Sequence, residues 1–460
     1  MDGRFTKATM TLNARLVNIS LGVLDSDLTG NVDGDLNLNG EGGRLTGELA
    51  ADLQGARGLG ADPSQGLDGK LNAHLRGDEI QIDSRLANGQ GLKAEADLVL
   101  PTEASAAPLR IAINRQKALR GRVFADGEIK PLWDLLVGGD RELAGHVHLQ
   151  GQLAGTLADI RPIGQATLDK GRFSDGATGL LLRDVALKAD LADQTLNVVE
   201  VSATDGHGGG LNGRGRISLL RDGDSSFRLD LKGFRLIDDE LAMASATGQA
   251  TLNRTADGKV KLTGVLGIDR ADIAAKPLAP SGVTPMEVVE VHRAADFTPP
   301  ENPSARAGVA VVLDVSLKAP RRIYLKGRGL DAELSLDAHV GGTTTNPNLT
   351  GVARVVRGDY DFAGKRFAFD ERGTVRLATD PKDIRLDLTA SREDSTLLAS
   401  VQIGGTAAKP EISLTSTPTL PKDEVLSQVL FGRSASQLTP VEAAQLASAL
   451  SSLAGGRGLT

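Results

Sequence analysis

From Leu330 to Val340 the chain reads LDAELSLDAHV. Leu330, Ala332, Leu334, Leu336, Ala338 and Val340 are apolar, and every residue between them is polar. A period of two is the spacing of a β-strand, whose successive side chains point to opposite faces. Such a strand has one dry face and one wet face. The same alternation recurs along the chain. It runs through Ala8, Met10, Leu12, Ala14 and Leu16, through Leu92, Ala94, Ala96, Leu98 and Leu100, and through Val185, Leu187, Ala189 and Leu191. It returns at Val309, Val311, Leu313, Val315 and Leu317, which lead into Ile323 and Leu325. Further on it includes Ile384, Leu386 and Leu388, then Leu397, Ala399, Val401 and Ile403. Turn-forming stretches such as ANGQG and RDGD separate the runs. The pattern predicts a long series of short antiparallel strands.

Each dry face needs a cover. Thick cores usually rely on aromatic rings that bury about 150–250 Å² each, yet only 3% of this chain is aromatic. Glycine is abundant, at 55 of 460 residues, which suits bends and curling of strands. Two arrangements satisfy these facts. Two sheets can cover each other in a sandwich, or one curved sheet can leave its dry face as an open channel. The pattern alone favours neither. An internal repeat adds that each strand pair contacts mainly its neighbours. Gly164, Ala166, Gly171 and Phe173 recur in the same spacing as Gly351, Ala353, Gly358 and Tyr360.

Two regions break the alternation. Residues 278–307 are rich in Pro and Ala and read as a loop or disordered insertion. From about Pro418 the chain reads as helical. Val425, Leu426, Val429 and Leu430 form one stripe, with Pro421 at its start and Gly432 at its end. Thr439, Pro440 and Glu442 form a capping box ahead of Ala443, Leu446, Leu450 and Leu453, with Gly455 as the stop. A short helix is also predicted around Trp133. The expected organisation is therefore a repetitive β segment over 1–277, the insertion at 278–307, a second β segment over 308–417 and a helical segment over 418–460.

Catalytic chemistry finds little footing. A net charge of −7 disfavours a nucleic-acid partner, which needs a basic face. The absence of cysteine removes thiol nucleophiles and Cys-type zinc sites. His146 and His148 share one strand face without an obvious third ligand, so a solvated face is the expected reading. Asp222, Asp224, Asp238, Asp239 and Glu240 fall at turns, in a pattern too sparse for a calcium loop. DGHGGGLNGRGR, from Asp205, lacks the Lys-Ser/Thr of a P-loop and reads as a bend between strands. No enzyme activity, cofactor or metal is expected. No stretch approaches the ~20 apolar residues of a membrane-spanning helix, and MDGRFTKATM lacks the apolar core of a signal peptide.

Over about 305–450 the residues form a specific combination. IYLKGRGLDAELSLDAHVGGTTTNPNLTGVARVVRGDYDFAGKRFAFDERGTVRLATDP is followed by STPTLPKDEVLSQVLFGR. This resembles the C-terminal domain of the TamB family, the inner-membrane subunit of the bacterial translocation and assembly module, related to AsmA-like bridge proteins. Upstream, GLLLRDVALKADLADQTLNVVEVSATDGHGGGLNGRGRISL is similar to that family's repeating units. The resemblance implies an all-β fold: an elongated, curled antiparallel sheet, the "β-taco", with an apolar groove and short C-terminal helices. It implies a periplasmic protein of a Gram-negative bacterium, anchored in the inner membrane and reaching toward an Omp85-type, TamA-like outer-membrane barrel. It also implies phospholipid as cargo, membranes at both ends of the full-length protein, and a part in assembling outer-membrane proteins such as autotransporters. The groove lining would then include Val309, Val311, Leu313, Val315, Leu317, Leu330, Leu334, Leu336, Val340, Leu386, Leu388, Leu397, Val401 and Ile403. The alternative is a periplasmic chaperone that receives nascent β-strands for such a barrel. The family's anchor is missing from this sequence, and members continue beyond GGRGLT. The sequence is therefore expected to be a piece of a longer chain.

Overall fold

The computed structural model describes residues 9–275 and 310–453, apart from 24–25, 138–140, 177–178, 221, 328, 363 and 395–396. It divides into two compact units, Met1–Leu229 and Asp230–Thr460.

The first unit is built from β1 (Thr9–Ser20), β2 (Leu28–Glu41), β3 (Arg44–Gly58), β4 (Leu67–Arg76), β5 (Glu79–Ala87), β6 (Lys93–Ala106), β7 (Leu109–Ile113), β8 (Arg120–Glu128), the helix α1 (Lys130–Leu136), β9 (Arg141–Thr156), β10 (Asp159–Asp175), β11 (Leu180–Ala192), β12 (Thr195–Thr204) and β13 (Gly210–Ser218). Its strands pair antiparallel, almost all with their neighbours in sequence. The exception is β6. Its first half pairs with β8, and its last residues, Thr102–Ala106, pair with β7. The repeat predicted at Gly171 falls on a bulge. The β9–β10 register slips between Asp169 and Arg172, and slips recur in β10–β11, β11–β12 and β12–β13. Bulges bend a strand and tighten its twist, so a column of them lets neighbouring strands curl together. At Gly171 a Cβ would lie 2.8 Å from a Leu168 methyl and 2.9 Å from Val185 Cβ, so only glycine lets the strands close up there.

The strand β14 (Ser225–Asp238) runs through the boundary between the units. The second unit continues with β15 (Ala242–Arg254), β16 (Val260–Ala274), β17 (Val311–Gly327), β18 (Leu330–Thr343), β19 (Asn346–Phe362), β20 (Lys365–Phe369), β21 (Thr374–Ala378), β22 (Arg385–Glu393), β23 (Leu398–Gly405), β24 (Pro410–Thr417), α2 (Lys422–Phe431) and α3 (Pro440–Leu453). The LDAELSLDAHV alternation falls on β18, paired antiparallel with β17 and β19 along its length. Gly358, the second copy of the repeat, has φ +148° and a Cβ there would fall 2.4 Å from the Asp331 carbonyl oxygen. The β16–β17 pair departs from the antiparallel rule: these strands run parallel, from Val260 opposite Val311 to Ala274 opposite Lys326. A parallel pair cannot be joined by a tight turn, so the long interval between these strands is a topological requirement. The insertion expected at 278–307 lies outside the described residues.

The C-terminal helices form where the caps predict. Pro421 precedes α2, which buries Val425, Leu426 and Val429, and Gly432 ends it in the left-handed region at φ +68°. Ahead of α3, Thr439 N–H donates to Glu442 Oε2 at 2.8 Å and Glu442 N–H donates back to Thr439 Oγ1 at 3.4 Å. Gly455 lies outside the described residues. Among the described residues no helix is long and apolar enough to cross a membrane.

Candidate functional site

Residues directly opposite each other on paired strands project to the same face. The registers therefore assemble the alternating aliphatics into rows that run across the strands. In the first unit Leu86, Ala94, Ala125, Leu149, Ala166, Ala189 and Val198 stand in one unbroken row from β5 to β12. A second row links Leu36, Leu49, Ala73, Ile82 and Leu98 from β2 to β6. In the second unit Gly248, Leu266, Leu317, Ala338, Gly351 and Leu377 form a row from β15 to β21. Ala319, Leu336, Ala353, Val375 and Leu386 form the next row. The dry faces of successive strands thus join into a continuous apolar surface within each unit.

The burial of the expected lining residues is mixed. Val315, Leu334, Leu388, Leu397, Val401 and Ile403 are buried. Val311, Leu313, Leu317, Leu330, Leu336, Val340 and Leu386 are half-buried. Val309 lies outside the described residues. Leu334 meets Ile323 and Val355 in register, while Leu388 and Val401 sit with Ile403 and Leu414 in the β22–β24 rows. The same mixture holds in the first unit, where Leu49, Leu71, Ile82, Leu98, Leu149 and Leu187 are half-buried despite pointing to the dry side. Interior leucines of a sealed sandwich are normally closed off from water. Partial exposure of the large aliphatics along the middle of the rows is the mark of a face that water still reaches.

The dry face is fully covered in particular places. In α1, Leu132 and Leu135 pack on Leu21, Ala56, Leu67 and Leu92, of which the last three are 0% exposed. Leu132 also reaches the neighbouring cluster of Ala125, Val147 and Leu168. Here α1 lies along the strand ends marked by Gly58, where a Cβ would fall 2.6 Å from the Asp134 carbonyl oxygen, and Trp133 Nε1 donates to the Arg141 carbonyl at 2.8 Å. At the opposite strand ends Ala104 and Ala106, from the last residues of β6, pack on Leu38, Leu45 and Leu75.

The wet face carries charges in cross-strand pairs. Asp314 lies 2.7 Å from Lys261 Nζ and 3.6 Å from His339 Nε2, and the bond to Lys261 holds its carboxyl below the usual range. His148 and His146 both approach Asp126, at 3.1 and 3.7 Å, on the solvated side. No group of three His, Cys, Asp or Glu converges as a metal site among the described residues. The Gly-rich stretch after Asp205 is a bend between β12 and β13, with Asp205 Oδ1 accepting from the His207 and Gly209 amides. Glu333 is buried on the wet side. It accepts from Arg357 Nε at 2.6 Å and from the Arg322 amide at 3.2 Å. The Arg357 bond is the main reason that its carboxyl titrates below the usual range. Glu333 thereby ties the bulge at Pro320–Arg322 to β19.

The family model for the TamB C-terminal domain matches residues 200–460. The chain belongs to the TamB family. The match takes in the whole second unit and the end of the first. A curated relative, the translocation and assembly module subunit TamB of Haemophilus influenzae (strain ATCC 51907 / DSM 11121 / KW20 / Rd), is 27% identical over 134 residues. That alignment covers 28% of this chain and 10% of the relative, so this TamB-family chain corresponds to a small part of that protein's length.

Sequence reasoning missed two parts of the TamB-family surface. One is an aromatic cluster at the β19–β20 end. Tyr360 stacks on Phe362 with centroids 6.3 Å apart and meets Phe369 at 6.4 Å, beside the fully buried Phe367. Its signal was present in the alternating DYDF and KRFAF. The other is the covering role of α1, whose helix the sequence does predict around Trp133, and of the end of β6, neither of which the strand pattern can place.

Proposed function

We propose that this chain is a segment of a periplasmic, non-enzymatic bridge whose apolar rows carry the acyl chains of phospholipid between the inner and outer membranes. In this reading the chain acts within a translocation and assembly module, beside a TamA-like barrel of the Omp85 type. In this reading it belongs to a protein anchored in the inner membrane. The observation that carries the reading is the continuity of the rows combined with the partial exposure of their large aliphatics. Family membership supports the same role.

The energetics suit hydrocarbon. An acyl chain leaving a bilayer for water loses about 0.8 kcal/mol per CH₂. A chain of about sixteen carbons therefore meets a barrier on the order of 12 kcal/mol. An unbroken apolar surface offers a substitute environment at every step, while the headgroup stays in water. No side chain has to react. Val311, Leu313, Leu317, Leu330, Leu336, Val340 and Leu386 form the open part of that lining, and Val315, Leu334, Leu388, Leu397, Val401 and Ile403 its covered part. The same rows serve outer-membrane protein assembly by supplying lipid where barrels insert.

Native mass spectrometry of the purified chain tests the proposal. Phospholipid is expected to copurify with the wild type and to be lost from Leu336→Asp while the fold persists. A wild-type chain that carries no lipid, even after incubation with vesicles, overturns it.

A further inference from the structure

We infer that the hairpin formed by the end of β6 and by β7 is a movable strap on one wall of the groove in the first unit, and that it gives hydrocarbon lateral access. The inference rests on the lipid reading above. β6 stays paired to β5 as far as Pro101, opposite Glu79. Beyond that point it leaves the sheet and runs across the turns of its predecessors. Thr102 is 1% exposed, and its N–H donates to the Asp78 carbonyl at 2.7 Å in the β4–β5 turn. Four residues on, the Ala106 N–H donates to the Gly43 carbonyl at 3.1 Å in the β2–β3 turn. Thr102 is the hinge and Ala106 the clasp.

The two covers of this groove are unequal. At one set of strand ends α1 inserts two leucines and closes its contacts completely. At the other, the strap touches the wall through two alanines. Its second strand is left open. Ile111 stands opposite Ala104, and Leu109 opposite Ala106, so both share the face that those alanines press onto Leu38, Leu45 and Leu75. Ile113 lies on the same face. All three are about half exposed, at 53%, 48% and 46% for Leu109, Ile111 and Ile113. β7 therefore extends the apolar lining past the wall, with greasy side chains facing the groove side and nothing of its own to cover. Releasing the clasp breaks one backbone hydrogen bond and the alanine contacts, and leaves the Thr102 hinge intact.

The clasp is a steric fit. A methyl on Gly40 would sit 2.4 Å from Ala106 Cβ, so Gly40→Ala should pry the strap off the wall. Removing the opposing methyl with Ala106→Gly should let it return. The chain has no cysteine, so spin labels can be placed at Arg110→Cys on the strap and Glu48→Cys on the wet face of β3. The full chain is measured in three forms: with no further change, with Gly40→Ala, and with Gly40→Ala plus Ala106→Gly. The first readout is the label distance. The second is the rate of pyrene-phospholipid uptake from phosphatidylcholine vesicles. The expected result is a longer, broader distance and several-fold faster uptake in Gly40→Ala, with both restored in the double variant. An unchanged distance in Gly40→Ala overturns the strap. A distance that moves while uptake stays constant overturns its role as a gate and leaves the conduit standing. A strap that moves in a chain that takes up no lipid in any form overturns the conduit, and the gate with it.

Discussion

Replacing Leu336 with aspartate asks whether the dry face meets water. Leu336 sits in the row between Ala319 and Ala353 and is half-buried. Full burial of a leucine contributes about 1.5–3 kcal/mol, and a half-buried one contributes less. On a face that water reaches, the new carboxylate keeps its hydration. The loss is then about 1–2 kcal/mol, or roughly five- to thirtyfold in a local opening equilibrium. In a sealed interior an unpaired charge adds a penalty of several kcal/mol, which moves the total into the exceptional range above about 4 kcal/mol. Val401 is the internal control, because it is 0% exposed between Ala390 and Leu414. Hydrogen–deuterium exchange of the full chain reads both sites. Leu336→Asp should accelerate exchange in β17–β19 by the modest factor above, whereas Val401→Asp should abolish protection in β22–β24. Equal collapse around both sites would refute an open face.

Further outcomes follow from particular contacts. Gly351→Ala places a Cβ 2.5 Å from both Ala338 Cα and the Asp337 carbonyl oxygen; overpacking of this kind costs about 1–3 kcal/mol, seen as a lowered melting temperature, while Gly89→Ala meets open space and should lower it less. Because Glu333 titrates below the usual range, its contribution is present above the ordinary carboxylate value of about 4.3 and is lost as pH falls through its lower folded value; Glu333→Gln should flatten the pH dependence of β18 exchange in that acidic window, and an unchanged profile contradicts the tie to Arg357. Thr439→Ala removes one side of the capping box and should cost α3 about 1 kcal/mol, measured as faster exchange in its first turn.

Much of this fold is legible in the sequence because strand alternation is a local property. Leu330–Val340 declares its two faces without reference to any partner, and β18 forms there. Caps are equally local, so α2 starts and stops where Pro421 and Gly432 direct, and α3 starts after Thr439. The glycine repeat marks tight approaches because Gly171 and Gly358 have no room for a side chain. Direction and covering are different matters. Alternation is the same in parallel and antiparallel strands, so nothing in Val260–Ala274 or Val311–Gly327 announces that β16 and β17 run alongside each other. Trp133 signals a short helix, but the burial of Leu67 and Leu92 under Leu132 depends on how far the strands of the first unit curl. The alternation also names which side is dry without naming what lies over it. That is why a sandwich and a groove are equal on pattern, and why the exposure of Leu49, Ile82, Leu149 and Leu336 distinguishes them.

The most direct test places a photo-crosslinking amino acid on each face of β18 in turn, at Leu336 and at Asp337, and supplies phospholipid with a radiolabelled acyl chain. The account expects the label to be captured at Leu336 and not at Asp337. Capture at neither position, or equally at both, would contradict a hydrocarbon path along the dry face.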